Sequence, residues 1–324
     1  MASYPEKAKN FMGIIKRAAS LVVNRNSIFI LALVLALTLP EGVRYTRPVM
    51  LVFLGVVMTV SMLGIGNELW KKPARALTYA AVGLGGSYLL LGGLTFALSR
   101  IFMDTPEFLA GFLLIAAAPP AVAVMPFTDI FRGNRTLTLT TILAGYAAAF
   151  ATLPLVSSLV SGESLIDLER LFLIVGGLII APFLISRIIR LMGLDARLES
   201  YRGPITNWSF FVVMYTIVAV NRDVILEHAG ALLPVVLVSV SVTFVLGFLV
   251  YVIALKCGAG YESGVSLTLI FTLKNYALAG GIALTFLSDI SALPAAVQTG
   301  VMIIYVIWLD WFFRKYRPAT KKDG

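Results

Sequence analysis

The sequence predicts an all-α polytopic membrane protein of ten transmembrane helices, arranged as two inverted five-helix repeats. Three observations carry that prediction. Apolar residues make up 59% of the 324-residue chain and charged residues 13%, against roughly 45–50% and about 25% in soluble proteins. That leaves too little polar surface to cover a water-soluble body. Apolar segments recur along the whole chain with short polar joints, and a bilayer core asks for about 20 apolar residues per helix. Finally, the fourth apolar segment of each half is interrupted in its middle.

Taken in order, residues 1–26 read as an amphipathic N-terminal segment. Phe11, Ile14, Ile15, Ala18 and Leu21 recur at helical spacing among Lys7, Lys9, Lys16 and Arg17, the pattern of an interfacial helix on an anionic leaflet. Ten apolar segments follow: Ile28–Leu39, Val49–Leu63, Ala76–Phe102, Phe108–Phe131, Leu137–Val160, Leu168–Met192, Trp208–Val220, Leu232–Leu255, Val265–Leu287 and Ala292–Phe313. Residues 315–324 form a basic tail. With the N-terminus in the cytoplasm, 20 Lys and Arg fall on the cytoplasmic side. Only 5 fall outside: Arg44, Arg47, Arg100, Arg170 and Arg222. This bias follows the positive-inside rule and predicts a multi-pass protein of a prokaryotic inner (plasma) membrane with both termini cytoplasmic. One basic residue, Lys274, belongs to neither side.

Other functional classes are excluded early. A single Cys257 excludes a disulfide framework, and a single His228 argues against a histidine metal site or a Ser-His triad. With no nucleotide loop or carboxylate cluster either, neither an enzyme nor a cofactor is expected. The net charge of +9 is absorbed by the cytoplasmic ends, so no nucleic-acid partner is expected. Nothing points to an obligate protein partner. The opening MASYPEKAKN lacks the apolar core of a signal peptide and the Arg/Ser-rich character of an import signal.

Ten spans divide into five and five at the polar stretch Ser161–Glu169. An odd number per half brings the second half into the membrane from the opposite side, as in inverted-repeat transporters, whose sites lie on broken helices at the midplane. The fourth segment carries AAPPAVAVMPF, with Pro119, Pro120 and Pro126. Proline removes a backbone donor and clashes with the preceding turn. The ninth carries FTLKNYALAGG, with Lys274 and Asn275 in mid-span.

These residues resemble the bile acid:sodium symporter family, within the bile/arsenite/riboflavin transporter group, over about Asn26 to Arg314. Pro119 stands where that family's fourth-span motif begins, and Gly133-Asn134 falls at the distance of its Gly-Asn dipeptide. The family's ninth-span Glu-Val-Gly-x-Gln-Asn, then Leu-Ala, aligns with Ile270-Phe271-Thr272-Leu273-Lys274-Asn275, then Leu278-Ala279. The resemblance implies a panel domain (residues 27–66 and 168–222, spans 1, 2, 6 and 7). It also implies a core domain (residues 74–160 and 231–314) in which broken spans 4 and 9 cross. The departures matter as much. Val124 and Met125 replace the family's Ser-Asn pair, Ile270 replaces its sodium-binding Glu, Lys274 its Gln, and Gly83 its third-span Gln. Thr138 is the one sodium-ligand type retained. The resemblance therefore implies a divergent member with dismantled sodium sites, in which sodium is not the expected coupling ion.

Lys274 sits in the middle of an apolar span, too far from either interface to snorkel. A charge there costs at least about 2.5–3.5 kcal/mol on insertion scales. Either its ammonium takes the place of the family's sodium and takes part in coupling, with proton coupling open, or it is permanently satisfied by helix-end carbonyls. Asn275 either binds a substrate carboxylate or ties the broken helices together. Asp129 is a candidate partner for Lys274, or else an interfacial i,i+3 partner for Arg132. Thr272, Tyr276 and Thr128 are candidate cavity hydroxyls, and Val122 and Ala123 candidate apolar substrate contacts. Asp310 with Arg314 reads as a cytoplasmic-end anchor, and Glu262 as a carboxylate at a helix N-terminus. Trp208, Trp308 and Trp311 read as interface residues, and the glycine pairs as sites of close helix packing. Together these predict a secondary transporter of a small organic anion, sodium-independent and either proton-coupled or facilitative. The alternative is sodium symport through a relocated site using Thr138.

Overall fold

The computed structural model describes residues 25–63, 73–121, 123–160, 168–227 and 229–316. The expected interfacial segment before residue 25, Val122, His228, most of the polar stretch between the halves and the tail from residue 317 lie outside the described residues.

The described residues are helical, joined by turns, with one isolated backbone bridge. α1 (Arg25–Thr38) and short helical turns lead into α2 (Met50–Met62). α3 (Pro73–Leu84) runs through a π-helical stretch, Gly85–Gly92, into α4 (Gly93–Phe102). Two short helices follow, α5 (Pro106–Ala117) and α6 (Val124–Ile130), then three long ones: α7 (Arg135–Val160), α8 (Leu168–Leu191) and α9 (Asp195–Val220). α10 (Leu233–Val240) passes through a π-helical turn, Ser241–Val245, into α11 (Leu246–Lys256). α12 (Gly260–Ile270), α13 (Tyr276–Phe286) and α14 (Leu293–Tyr316) complete the order.

Seven helical stretches are long and apolar enough to cross a membrane, and three shorter apolar helices, Ser27–Thr38, Pro106–Ala117 and Tyr276–Phe286, accompany them among the described residues. The two π-helical stretches, Gly85–Gly92 and Ser241–Val245, each lie inside a long apolar helical stretch. α1, α2, α8 and α9 pack mainly on one another, whereas α5 packs on α4, α7, α13 and α14, and α12 on α11 and α7.

Several expectations need correction. The segment expected to begin at Trp208 is a helix from Asp195. Its polar first turns carry Glu199 and Arg202 to the mouth of a cavity described below. Trp308 is half-buried, its ring stacked on Phe312 at 4.8 Å and on Tyr305 at 5.8 Å. Trp311, 62% exposed, does face outward. The glycine pairs divide. A Cβ on Gly83 or Gly86 would collide with Thr141 or the ring of Phe271, while Gly85, Gly93 and Gly177 meet nothing. Asp310 and Arg314 pair at 2.7 Å as expected, and Glu262 lies in the first turn of α12.

Candidate functional site at the helix crossover

The site begins with two missing hydrogens. Pro119 and Pro120 have no N–H, so the carbonyls of Ile115 and Ala116, four residues earlier, lose their helical donors. α5 therefore stops at Ala117. The amide of Ala118 turns back to Leu114 O at 2.9 Å and Ile115 O at 3.2 Å. Ala116 O finds its donor far along the chain, in the ammonium of Lys274, at 3.1 Å. The same Nζ donates to Ala118 O at 2.7 Å and lies 3.9 Å from the centroid of the Tyr88 ring, a cation–π contact. The Tyr88 hydroxyl in turn donates to Gly145 O at 2.9 Å.

The two interrupted segments are also joined backbone to backbone. Asn275 N–H donates to Pro119 O at 2.8 Å, and Ala121 N–H to Leu273 O at 3.1 Å, an antiparallel bridge between Pro120 and Lys274. Gly145 permits this closeness, since a Cβ there would strike the Pro120 ring. Lys274 is only 1% exposed, and its ammonium sits on the C-terminal end of α5, where the helix dipole favours a cation.

Asn275 caps α13: its Oδ1 accepts the amide of Leu278 at 3.1 Å. Its Nδ2 donates to the Tyr146 hydroxyl at 2.7 Å and to Met58 Sδ at 3.2 Å. Tyr146 and Asn275 come from α7 and the broken segment, whereas Met58 reaches across from α2. Tyr276 donates to Thr272 O at 2.9 Å and accepts from Gln298 Nε2 at 3.3 Å. Thr272 turns back to Thr268 O at 2.6 Å, the back-bonding common to hydroxyls in helices.

A second polar cluster is made of hydroxyls. Thr128 Oγ1 and Thr138 Oγ1 lie 2.9 Å apart, Thr138 donates to Ser266 Oγ at 3.0 Å, and Ser266 donates to Asn134 O at 3.1 Å. Asn134 Oδ1 accepts the Leu137 amide at 3.0 Å and so caps α7. A Cβ on Gly133 would crowd Ser266 Oγ.

A cavity of about 740 Å³ lies between α2 and α9 on one side and α6, the crossover, α13 and α14 on the other. Of the residues singled out from sequence, Ala123, Met125, Pro126, Asp129, Lys274, Asn275 and Tyr276 line it. Thr272, Thr128, Thr138, Pro119, Pro120, Gly133 and Asn134 lie outside its lining, and Val122 is outside the described residues. The mouth carries three ion pairs: Arg135–Asp129 at 3.3 Å, Arg190–Asp195 at 3.6 Å and Arg202–Glu199 at 2.8 Å. Asp129 thus pairs with neither Lys274 nor Arg132 in the described ion pairs. Arg132 turns into the left-handed region, with φ 57°, which carries its side chain off the helical i,i+3 position. With the mouth charges paired, the basic side chain left over in the lining is Lys274.

The model of the Sodium Bile acid symporter family matches residues 51–228, more than half of the chain. The chain belongs to that family. A relative in Oryza sativa subsp. japonica, described as a probable sodium/metabolite cotransporter, BASS1, chloroplastic, is 26% identical over 283 residues. The match covers 82% of this chain and 67% of that protein. Family membership, together with the long apolar helices, makes this a multi-pass membrane protein of a transporter family.

Sequence reading missed Tyr88, Tyr146, Met58 and the mouth arginines. A tyrosine or methionine inside an apolar run has no local signature of function. The signal for Arg190 and Arg202 was present, as cations beside a hydrophobic segment, but it was spent on topology.

Proposed function

We propose that this family member is a secondary transporter that carries a small organic anion by alternating access, without sodium, the ammonium of Lys274 standing where a relative would hold its ion. The reading uses ten spans in two inverted repeats, a panel built on α1, α2, α8 and α9, a core of the remaining helices, and both termini in the cytoplasm of a prokaryotic inner membrane. The observation that carries it is the Lys274 ammonium on the carbonyls of Ala116 and Ala118. A cation bound there neutralises the end of α5 without any metal. A π-helical stretch in each half and the two interrupted segments support the repeat.

The same contacts favour a particular role. The ammonium points at carbonyls and an aromatic face rather than at a carboxylate, so Lys274 acts on an anion through its field, and the partial positive charge of the α13 N-terminus adds to it. In reconstituted liposomes, uptake of small carboxylates or sulfonates should proceed with no sodium gradient. Uptake that requires a sodium gradient and ignores pH overturns this reading. Lys274→Gln should impair transport, and full pH-insensitive activity in that variant would confine Lys274 to holding the crossover together.

A second reading, sodium symport, is favoured by the hydroxyl cluster of Thr128, Thr138 and Ser266 with Asn134 O and by likeness to a probable sodium/metabolite cotransporter. These are hard oxygen donors suited to a hard cation. Stabilisation by sodium but not potassium in a thermal-shift assay, lost in Thr138→Val, would select it.

A further inference from the structure

Two ties at the end of the molecule away from the cavity mouth converge on Asp289, in the turn between α13 and α14. Arg47, just before α2, grips its carboxylate with both terminal nitrogens, Nη2 to Oδ1 at 2.7 Å and Nη1 to Oδ2 at 3.2 Å. Asn221, at the end of α9, uses its two amide hydrogens on Ile217 O and on the backbone carbonyl of Asp289, each at 2.8 Å. α9 itself measures the separation from the mouth. Arg202 lines the cavity near the start of that helix, and the run from Arg202 to Asn221 covers about 28 Å at 1.5 Å rise per residue.

Arg47 and Asn221 belong to the group formed by α1, α2, α8 and α9, and Asp289 to the other group. The fork-to-fork pairing of guanidinium and carboxylate fixes geometry as well as charge. Both partners are nevertheless half in solvent, with side chains 49% and 40% exposed, so the pair separates into water without leaving a buried charge behind. A contact that is specific when made and cheap to break suits a part that must open and close.

We propose that Asp289 is a latch. It is a positioning residue of the transport cycle that holds the two helix groups together opposite the mouth, and it releases Arg47 and Asn221 when the cavity opens the other way. The proposal rests on the alternating-access reading. Its test needs no knowledge of the substrate. In a Cys257→Ser background, Ala277→Cys places a thiol in the cavity, and Val57→Cys serves as a second position should the first fail to fold. Each is labelled in membrane vesicles of both orientations with a membrane-impermeant maleimide. Asp289→Asn and Arg47→Gln should each speed labelling from the latch side by about threefold, the scale of an exposed ion pair, and slow it from the mouth side. The exchanged pair Arg47→Asp with Asp289→Arg should return both rates toward the parent. Latch-side labelling unchanged in both single variants overturns the proposal, as does an exchanged pair that behaves like the singles. Anion uptake is read separately: its absence from the parent protein removes the transport reading, while the side preference of labelling still reports on the latch.

Discussion

Lys274 supplies the hydrogen bond that Pro120 cannot give. In an uninterrupted helix the amide of residue 120 would donate to Ala116 O; here that carbonyl accepts the Lys274 ammonium at 3.1 Å, and the backbones of Pro120 and Lys274 pair in an antiparallel bridge. The break in one segment and the charge in the other are two halves of a single device. Neither makes physical sense in hydrocarbon without its counterpart.

Lys274→Met tests that dependence. Methionine keeps most of the volume but leaves Ala116 O and Ala118 O without the ammonium. An unsatisfied buried acceptor costs about 1–3 kcal/mol, so the variant should unfold at lower temperature in detergent and transport at least tenfold more slowly. Unchanged stability would mean that water or a shifted backbone serves the carbonyls equally well.

Gly145→Ala should damage the crossover, because the new methyl meets the Pro120 ring. Overpacking of this kind costs roughly 1–3 kcal/mol. Gly85→Ala faces open space and should be neutral. Thermal unfolding of the two variants side by side separates a steric effect from a general response to alanine.

Tyr146→Phe removes the acceptor of the 2.7 Å bond from Asn275 and leaves Nδ2 with only the weak Met58 thioether. We expect a loss of about 0.5–1.5 kcal/mol in stability, together with altered anion affinity because the amide is free to turn. Equilibrium binding and thermal unfolding measure the two effects independently.

Glu199→Gln leaves Arg202 without its partner at 2.8 Å and makes the cavity mouth net positive. Capture of an anion should quicken about twofold at low ionic strength and return to the parental rate at high salt, since exposed charges are screened beyond about 10 Å at 0.1 M. Initial uptake rates at two salt concentrations decide it, and a salt-independent change would point to altered packing instead.

Much of this site is legible in the sequence. Proline at 119 and 120 announces a broken helix because the chemistry is local, and a lysine amid apolar residues announces a compensated charge for the same reason. Asn275 reads from sequence either as a substrate ligand or as a tie between helices; it makes the contacts of a tie, with Leu278, Tyr146 and Met58, and it also lines the cavity.

By itself the sequence determined the solvent of this protein, the places where its helices break, and the one cation that no interface can claim. Each of these follows from properties that a residue carries with it: transfer energy, a missing N–H, a charge. Only the tertiary structure decided that the claimant for that cation is Ala116 O, 158 residues away, with Tyr88 beneath it. It also decided that Asp289 meets Arg47 across 242 residues. Such pairings arise because packing folds distant helices against one another, and local sequence preferences carry no record of which neighbour each will meet.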